Sequence, residues 1–405
     1  HTHMGKKRRR KPAPPALESH FESTEGFSKQ IGDLVDLEIT DVAFGGEGVG
    51  RFEGFVVFVP FVITGEKVEA RITEIHIQFA RAELFKIIKA SAHRLNPECG
   101  FYGECGGCQY QHIAYEEQLR IKHKQVSDLF ERIGGQPKDV VMQVAACPSP
   151  FHYRNRIMVR TQYNRETKEM NVGFLRHQSR LVVDVPECAI AEPELNKAMQ
   201  KVRIDPPRKN GVKFTLRVYP EQWDLPPDSF FQVNFHQLPT MVNAVGDLLL
   251  DADTKYLIDA YCGVGFFSLS LAEKVESYVG VEVDHRAILS ARKNAETMKR
   301  SNGSFIQAPT EDVIDDLVAK FQPEMTTIIR DPPRKGCHAS ILEVLQRTKP
   351  KQIIYVSCHP ATLSRDVKSL CSNGLFRVNK VAPLDMFPQT QHVECVTDIR
   401  LVTEE

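Results

Sequence analysis

The sequence lacks features that would each point to a different class of protein. It contains no run of about 18 apolar residues, so no segment is predicted to cross a membrane. It has no apolar stretch of the signal-peptide kind, and we therefore expect a cytoplasmic, reducing compartment. The formal net charge is zero at pH 7, so any surface that binds nucleic acid must be local.

The first residues differ in composition from the rest. His1-Thr2-His3 stands before Met4 and is interpreted as a remnant of an expression tag. Lys6–Lys11 is an unbroken run of basic residues followed by prolines. We expect residues 1–29 to form a disordered arm, which either contacts phosphates or is simply solvated.

Residues 30–90 have the pattern of short β-strands. Alternating or apolar runs are separated by turns, among them the glycine-rich stretch Gly45–Arg51. This pattern predicts a small barrel of the oligonucleotide-binding kind, although a barrel with a purely structural role would look the same. The runs are Leu34–Ile39, Phe55–Val59, Glu66–Ile72 and Ala82–Ile88.

Three of the ten cysteines form a tight group in a glycine-rich loop. Cys99, Cys105 and Cys108 have the spacing C-x5-C-x2-C, which in a reducing compartment indicates metal or cluster binding. A fourth thiolate is needed, for which Cys188 is the first choice and Cys147 the second. Zinc and a [4Fe–4S] cluster are both compatible with four thiolates.

The rest of the central region, residues 91–235, contains two candidate contact surfaces. Apolar spacing predicts a helix over Tyr115–Ile133. Phe230-Phe231-Gln232-Val233-Asn234 offers aromatic rings and amides for a base or a cofactor ring, or else forms ordinary core. Recurring arginines among short β segments indicate either a phosphate-binding surface or solvated strand faces: Arg154, Arg156, Arg160, Arg176 and Arg180.

From Lys255 onward, strands and helices alternate, which predicts a parallel sheet. The strand Tyr256–Ala260 leads into a glycine loop, and the next strand ends at Glu282, near the spacing at which an acid reaches ribose hydroxyls. The loop has Gly263 and Gly265 but lacks the third glycine of a dinucleotide fingerprint. With Asp259 in front, it resembles an S-adenosylmethionine site more than an NAD site.

Three further strand ends carry reactive side chains. Asp331 is followed by two prolines, which either fix an acceptor or only stiffen a turn. Cys358 lies between a buried strand and a helix that starts at Pro360, where a thiolate is favoured, although a packing thiol is the simpler reading. His392 and Glu394 open the last strand, either as candidate bases or as solvated residues.

Together these motifs resemble the RNA uracil-C5 methyltransferase family, which makes 5-methyluridine in tRNA and 23S rRNA. The resemblance covers nearly the whole chain from Gln30, and the motifs follow the family's order. They are the TRAM-like barrel, Cys99/Cys105/Cys108, Phe231–Asn234, Asp259–Gly265, Asp331-Pro332-Pro333-Arg334, Ser357-Cys358 with Pro360–Leu363, and His392–Glu394.

The resemblance implies an α/β class I (Rossmann-like) methyltransferase domain over residues 236–405, preceded by a TRAM barrel and a small central iron–sulfur/β domain. A cytoplasmic, monomeric enzyme that binds RNA and no membrane is expected. Cys358 would attack uridine C6, Glu394 would remove the C5 proton, and Phe230 would stack near the target base. The implied cofactor residues are Gln232, Tyr261, Glu282 and Asp331 for S-adenosylmethionine, and Cys99, Cys105, Cys108 and Cys188 for a [4Fe–4S] cluster.

Two departures and two alternatives accompany this prediction. Phe266 stands where relatives often have a polar residue, and the segment from Cys188 to Gln232 is shorter than expected. A non-catalytic RNA-binding protein with a structural cluster is one alternative. Methylation of a base amino group is the other, but it expects an aromatic residue at Arg334 and leaves Cys358 without a role.

Overall fold

The computed structural model describes residues 26–332 and 339–403 of the chain. The predicted basic arm at Lys6–Lys11 and the prolyl–arginine part of the motif at Pro333–Arg334 lie outside these ranges. In the described residues, no helix is long and apolar enough to cross a membrane.

Helices and strands account for most of the described chain. The strands are β1 (Leu34–Glu38), β2 (Asp41–Val42), β3 (Gly48–Phe52), β4 (Phe55–Val59), β5 (Lys67–Ile75), β6 (Phe79–Lys89), β7 (Arg156–Asn164), β8 (Glu169–Leu175), β9 (Val182–Asp184), β10 (Lys213–Arg217), β11 (Tyr256–Ala260), β12 (Ser277–Glu282), β13 (Gly303–Gln307), β14 (Thr326–Arg330), β15 (Gln352–Ser357), β16 (Phe376–Leu384) and β17 (Glu394–Leu401). The α-helices are α1 (Tyr115–Arg132), α2 (Pro193–Ile204), α3 (Leu238–Asp251), α4 (Phe266–Leu271), α5 (His285–Thr297), α6 (Thr310–Phe321), α7 (Ala339–Thr348) and α8 (Pro360–Cys371).

The N-terminal strands form one sheet in the order β1-β5-β6-β4-β3-β2. Alternate residues of β1 are buried, because Val35 and Leu37 point into the core while their neighbours face solvent. All five residues of β4 are buried, as its continuous apolar run requires. The predicted all-β unit at the N-terminus is confirmed.

A second, antiparallel sheet has the order β10-β7-β8-β9. One of its faces is covered by α2, where Ile157 and Val159 pack against Leu195 and Met199. The alternation along β7 leaves the other residues of that strand on the opposite face.

The C-terminal sheet has seven strands in the order β13-β12-β11-β14-β15-β17-β16. Neighbours from β13 to β15 pair in parallel, and β17 pairs antiparallel with both β15 and β16. Helices α3, α4 and α5 pack on one face, and α6, α7 and α8 on the other. This layered architecture confirms the predicted α/β methyltransferase fold.

Helix α1 belongs to the same packing unit as the C-terminal sheet. Its residues Val126 and Phe130 are fully buried and share a core with Ile328 and Ile353 of the sheet. The segment that precedes the four-stranded sheet in the chain is therefore anchored on the seven-stranded sheet. The predicted limits of the central domain stay a prediction.

Candidate active site

The candidate active site lies at the carboxyl edge of the seven-stranded sheet. The strand order reverses between β11 and β14, and open α/β sheets bind ligands at such a switch point. Tyr261, Glu282, Asp331 and Cys358 follow or end the parallel strands at this edge. Glu394 starts β17, which runs antiparallel, so it lies at the same edge.

Cys358 and Glu394 lie at the same end of two paired strands. The last pair of the ladder joins Ser357 to Cys395, so Cys358 directly follows β15 and Glu394 is the first residue of β17. Cys358 is half-buried, and Glu394 is buried. Burial, with repulsion from Glu394 and Cys358, raises the pKa of the Cys395 thiol, which therefore stays neutral. The sheet thus brings the predicted nucleophile and the predicted base together.

Three carboxyl groups at this edge have raised pKa values. Burial raises the pKa of Asp259 to about 6, although its Oδ2 accepts hydrogen bonds from Ser268 N at 2.9 Å and Oγ at 2.6 Å. Burial and the charge of Asp259 raise the pKa of Asp331 to about 7. Burial and the charge of Asp331 raise the pKa of Glu394 well above its ordinary value. The three groups are therefore close enough to disfavour one another's charge.

The glycine loop after β11 takes a sharp path. Gly263 and Gly265 have φ values of 54° and 91°, and Tyr261 has the left-handed value of 58°, which non-glycine residues rarely adopt. Glu282 Oε1 accepts a hydrogen bond from Gly263 N at 3.1 Å, and its Oε2 accepts one from Asp284 N at 2.9 Å. Glu282 therefore holds the glycine loop in place, and it lies at the carboxyl edge of the sheet.

Tyr261 and Phe266, on either side of the two loop glycines, make different kinds of contact. The Tyr261 hydroxyl donates to Glu311 Oε1 at 3.2 Å, a partner on α6 that the sequence reading missed. Phe266 is buried in an aromatic cluster, with its ring centre 5.6 Å from Phe231 and 5.7 Å from Trp223. Its ring therefore packs in the interior.

The segment with the paired phenylalanines bridges the two sheets. Phe230 is 60% exposed, whereas Gln232 is buried and its carbonyl accepts a hydrogen bond from Asn155 Nδ2 at 2.8 Å. Asn234 Nδ2 donates to Met386 O at 3.1 Å, in the loop that leads to Glu394. The predicted stacking residue is thus solvent-facing and attached to the catalytic edge.

Cys262 is the cysteine nearest in sequence to the glycine loop, but it is buried. Burial, with the charges of Asp259 and Glu282, raises the pKa of its thiol well above the ordinary value. A neutral thiol is a poor nucleophile. Its environment therefore disfavours Cys262 as a nucleophile.

The four cysteines predicted as cluster ligands line one cavity of about 200 Å³. Burial raises the pKa of Cys105 to about 11, and burial also raises the pKa values of Cys108 and Cys188. Cys99 and Cys188 add to the raised pKa of Cys105 by charge repulsion, so the thiols face one another. Among the described residues, no group of three or more His, Cys, Asp or Glu side chains is close enough to hold a single metal ion.

Cys147 lies outside this cavity. Its Sγ contacts Ser149 O at 3.2 Å and accepts a hydrogen bond from Asn234 Nδ2 at 3.4 Å. Cys188 is therefore the fourth thiol that the fold brings to Cys99 and Cys105. Four thiols around one cavity are a donor set of the kind that holds a thiolate-bound cluster.

One buried ion pair was not anticipated. Lys122 Nζ lies 2.8 Å from Asp385 Oδ1, and both side chains are fully buried. The Tyr115 hydroxyl donates to the other oxygen of Asp385 at 2.7 Å. Lys122 and Val126 are four residues apart, so both lie on the buried side of α1. This spacing was the sequence signal from which the burial of Lys122 could have been predicted. The pair attaches α1 to the loop between β16 and β17.

Comparison with known proteins now identifies the chain. Residues 209–400 match the family model described as tRNA (Uracil-5-)-methyltransferase, and residues 28–85 match the TRAM domain model. A solved structure with a TM-score of 0.69 is the Pyrococcus abyssi tRNA (uracil-54, C5)-methyltransferase in complex with S-adenosyl-L-homocysteine. It is 24% identical and covers 90% of this chain and 100% of its own, which shows a shared fold.

Two curated relatives bear the name "uncharacterized RNA methyltransferase". The relative from Listeria innocua is 30% identical over 446 residues, which cover 91% of this chain and 97% of the relative. The one from Thermosynechococcus vestitus is 29% identical and covers 91% and 98%. The alignment with the Listeria protein exceeds the 405 residues of this chain, so that relative has segments that this chain lacks. The chain belongs with these RNA methyltransferases, and residues 209–400 form a tRNA (uracil-5-)-methyltransferase family domain, which confirms the coarser part of the prediction from its motifs.

Proposed function

We propose that the protein transfers a methyl group from S-adenosylmethionine to C5 of a uridine in RNA, through a covalent bond between Cys358 and C6 of that uridine. The observation that carries this proposal is that Cys358, directly after β15, and Glu394, the first residue of β17, lie on adjacent paired strands at the carboxyl edge of the sheet. A nucleophile and a base on two adjacent strands can act on neighbouring atoms of one ring.

The proposed cofactor site is the switch point beside this pair. Tyr261, Glu282 and Asp331 lie at the ends of the three adjacent strands β11, β12 and β14. Gln232 is the fourth proposed residue, and it follows Phe231, whose ring contacts Phe266 at the start of α4. Glu282 stands where an acid accepts hydrogen bonds from ribose hydroxyls. S-adenosylmethionine supplies an electrophilic methyl group there, and these residues orient it.

The covalent step makes uridine C5 reactive. The Cys358 thiolate adds to C6, which gives C5 the character of an enolate carbon and allows it to take the methyl group. Glu394 then removes the C5 proton, the bond between sulfur and C6 breaks, and the thiolate is regenerated. Glu394 must be ionised for that step, although its surroundings raise its pKa. The target uridine has to leave its base stack to reach this edge. Phe230 is the proposed stacking residue, and its 60% exposure leaves its ring accessible to a base.

The central cavity is proposed to hold a [4Fe–4S] cluster on Cys99, Cys105, Cys108 and Cys188. The support for this proposal is that all four cysteines line the same cavity, where four thiolates could bind one cluster. We propose a structural role for the cluster, because the methyl transfer involves no change of redox state. Candidate substrates are 23S rRNA and tRNA.

The direct test measures tritium release from RNA labelled at uridine C5, in the presence of S-adenosylmethionine. Wild-type protein should release tritium, and transcripts of 23S rRNA and tRNA should differ as substrates. Cys358→Ala should abolish release, while the matched control Cys262→Ala should retain it. Full release by Cys358→Ala would disprove the covalent mechanism. Methylation without tritium release would favour a base amino group as the target.

A further inference from the structure

The four-stranded sheet has one face that no described helix covers. Helix α2 packs on the side of Ile157 and Val159, so Arg156, Met158 and Arg160 point away from it. On the neighbouring strand β10, the residues paired with them share that side. We call this surface the open face, made of Arg156, Met158, Arg160, Lys213, Thr215 and Arg217.

The open face sets like charges directly opposite each other. Arg156 pairs with Arg217, and Arg160 pairs with Lys213, across the antiparallel ladder. Directly opposed like charges destabilise a sheet. Arg156 and Arg217 are close enough for their charges to interact. Burial is the main cause that lowers the pKa of Arg217, and the charge of Arg156 lowers it further.

The cations of the open face have few acidic side chains near them. Over the described parts of the chain, none of the four cations forms an ion pair, and Asp228 is the acidic group that acts electrostatically on Arg217. The bidentate pair of this region, Arg203 with Asp184, joins α2 to β9. A chain with zero net charge therefore concentrates unpaired cations on one sheet face.

The open face continues towards the candidate active site. Arg217 Nη1 donates to Ser229 O at 2.8 Å, one residue before the exposed Phe230. The guanidinium of Arg217 lies 5.1 Å from the ring centre of Tyr219, which is 50% exposed. Two exposed aromatic residues therefore lie next to groups that Arg217 contacts: Tyr219, whose ring it lies over, and Phe230, which follows Ser229.

We propose that the open face binds the single-stranded RNA segment next to the target uridine, with phosphates on its four cations and a base stacked on Tyr219. Arg156 and Arg160 are about 13 Å apart along β7, which suits an extended backbone. Cations that follow a backbone, together with exposed aromatic rings, are the features with which proteins hold single-stranded nucleic acid. This inference rests on the proposed function, and it adds the surface on which the RNA substrate is bound.

The test is the salt dependence of RNA binding by the full-length protein. The probe is a fluorescein-labelled single-stranded RNA of about 20 uridines, followed by anisotropy. Arg160→Gln with Lys213→Gln should reduce the slope of log affinity against log salt by about 1.4, since each phosphate contact to a single strand contributes about 0.7. The matched control is Lys197→Gln with Lys201→Gln on α2, which removes the same charge and should leave the slope nearly unchanged.

Activity separates this inference from the proposed function. In the tritium assay, the open-face variant should raise KM for RNA and leave kcat unchanged, because the substitutions lie away from Cys358. An equal loss of slope in both double variants, or none in either, would overturn the inference even if wild-type protein methylates uridine. A wild-type protein that binds the probe through the open face but releases no tritium would instead refute the proposed function alone.

Discussion

The ammonium group of Lys122 and the carboxylate of Asp385 form an ion pair of 2.8 Å in which neither side chain is exposed. Lys122 Nζ also lies 3.3 Å from Phe387 O, and α1 makes a further contact where Gln118 Nε2 donates to Gln389 Oε1 at 2.9 Å. These contacts hold the loop that ends at Glu394. A helix from the N-terminal half of the chain therefore fixes the approach to the proposed base.

Removing the lysine should destabilise the protein strongly. Lys122→Met leaves Asp385 as an uncompensated buried charge, which typically costs about 3–5 kcal/mol of unfolding free energy. The control is Arg347→Met, which breaks the exposed pair with Asp315 and should cost less than about 1 kcal/mol. Denaturant unfolding measures both. Equal losses in the two variants would show that burial of the Lys122 pair has no energetic consequence.

Replacing the proposed base should separate the two halves of the reaction. Glu394→Gln keeps the size of the side chain but cannot accept the C5 proton, so the bond between Cys358 and uridine C6 should persist after methyl transfer. The expected result is a protein–RNA adduct that survives denaturing electrophoresis. The double variant with Cys358→Ala should show no adduct. Full turnover by Glu394→Gln would assign the base elsewhere.

The raised pKa of Asp331 should make stability depend on pH. Its pKa is about 7 in the folded protein, against an ordinary value of 3.8, so the folded state retains a proton that the unfolded chain releases. Stability should therefore decrease as pH rises from about 4 to about 7. Asp331→Asn should flatten this decline in thermal unfolding, and the surface control Asp247→Asn should not. An unchanged slope in Asp331→Asn would contradict the raised pKa.

The cavity lined by the four cysteines predicts which cysteine substitutions cause the protein to lose iron. Protein prepared without oxygen should be brown and should absorb near about 400 nm if the cluster is present. Cys188→Ala removes a thiol that lines the cavity and should lose most of the iron, measured per protein chain. Cys147→Ala removes a buried thiol outside the cavity and should retain it. Zinc in place of iron in the wild-type protein would leave the ligand set intact but refute the cluster.

Local patterns predicted much of the fold. The alternating runs of β1 and β5 and the continuous apolar run of β4 gave an all-β beginning, and the repeated order of strand and helix after Lys255 gave the α/β sheet. Both follow from short-range periodicity, which depends on whether one face or two faces of an element are buried. The glycine loop was also visible, because positive φ values at Gly263 and Gly265 favour glycine.

The sequence by itself determined the elements, the family and the chemical types of the candidate site residues. The tertiary structure decided which of them meet. Cys358 and Glu394 lie at the same edge of the sheet because β17 runs antiparallel beside β15, and Cys188, not Cys147, shares the cavity with Cys105. The burial of Lys122 was decided in the same way, since a charge enters the core only where a distant partner compensates it. Such pairings join residues far apart in the chain, and no local periodicity encodes them.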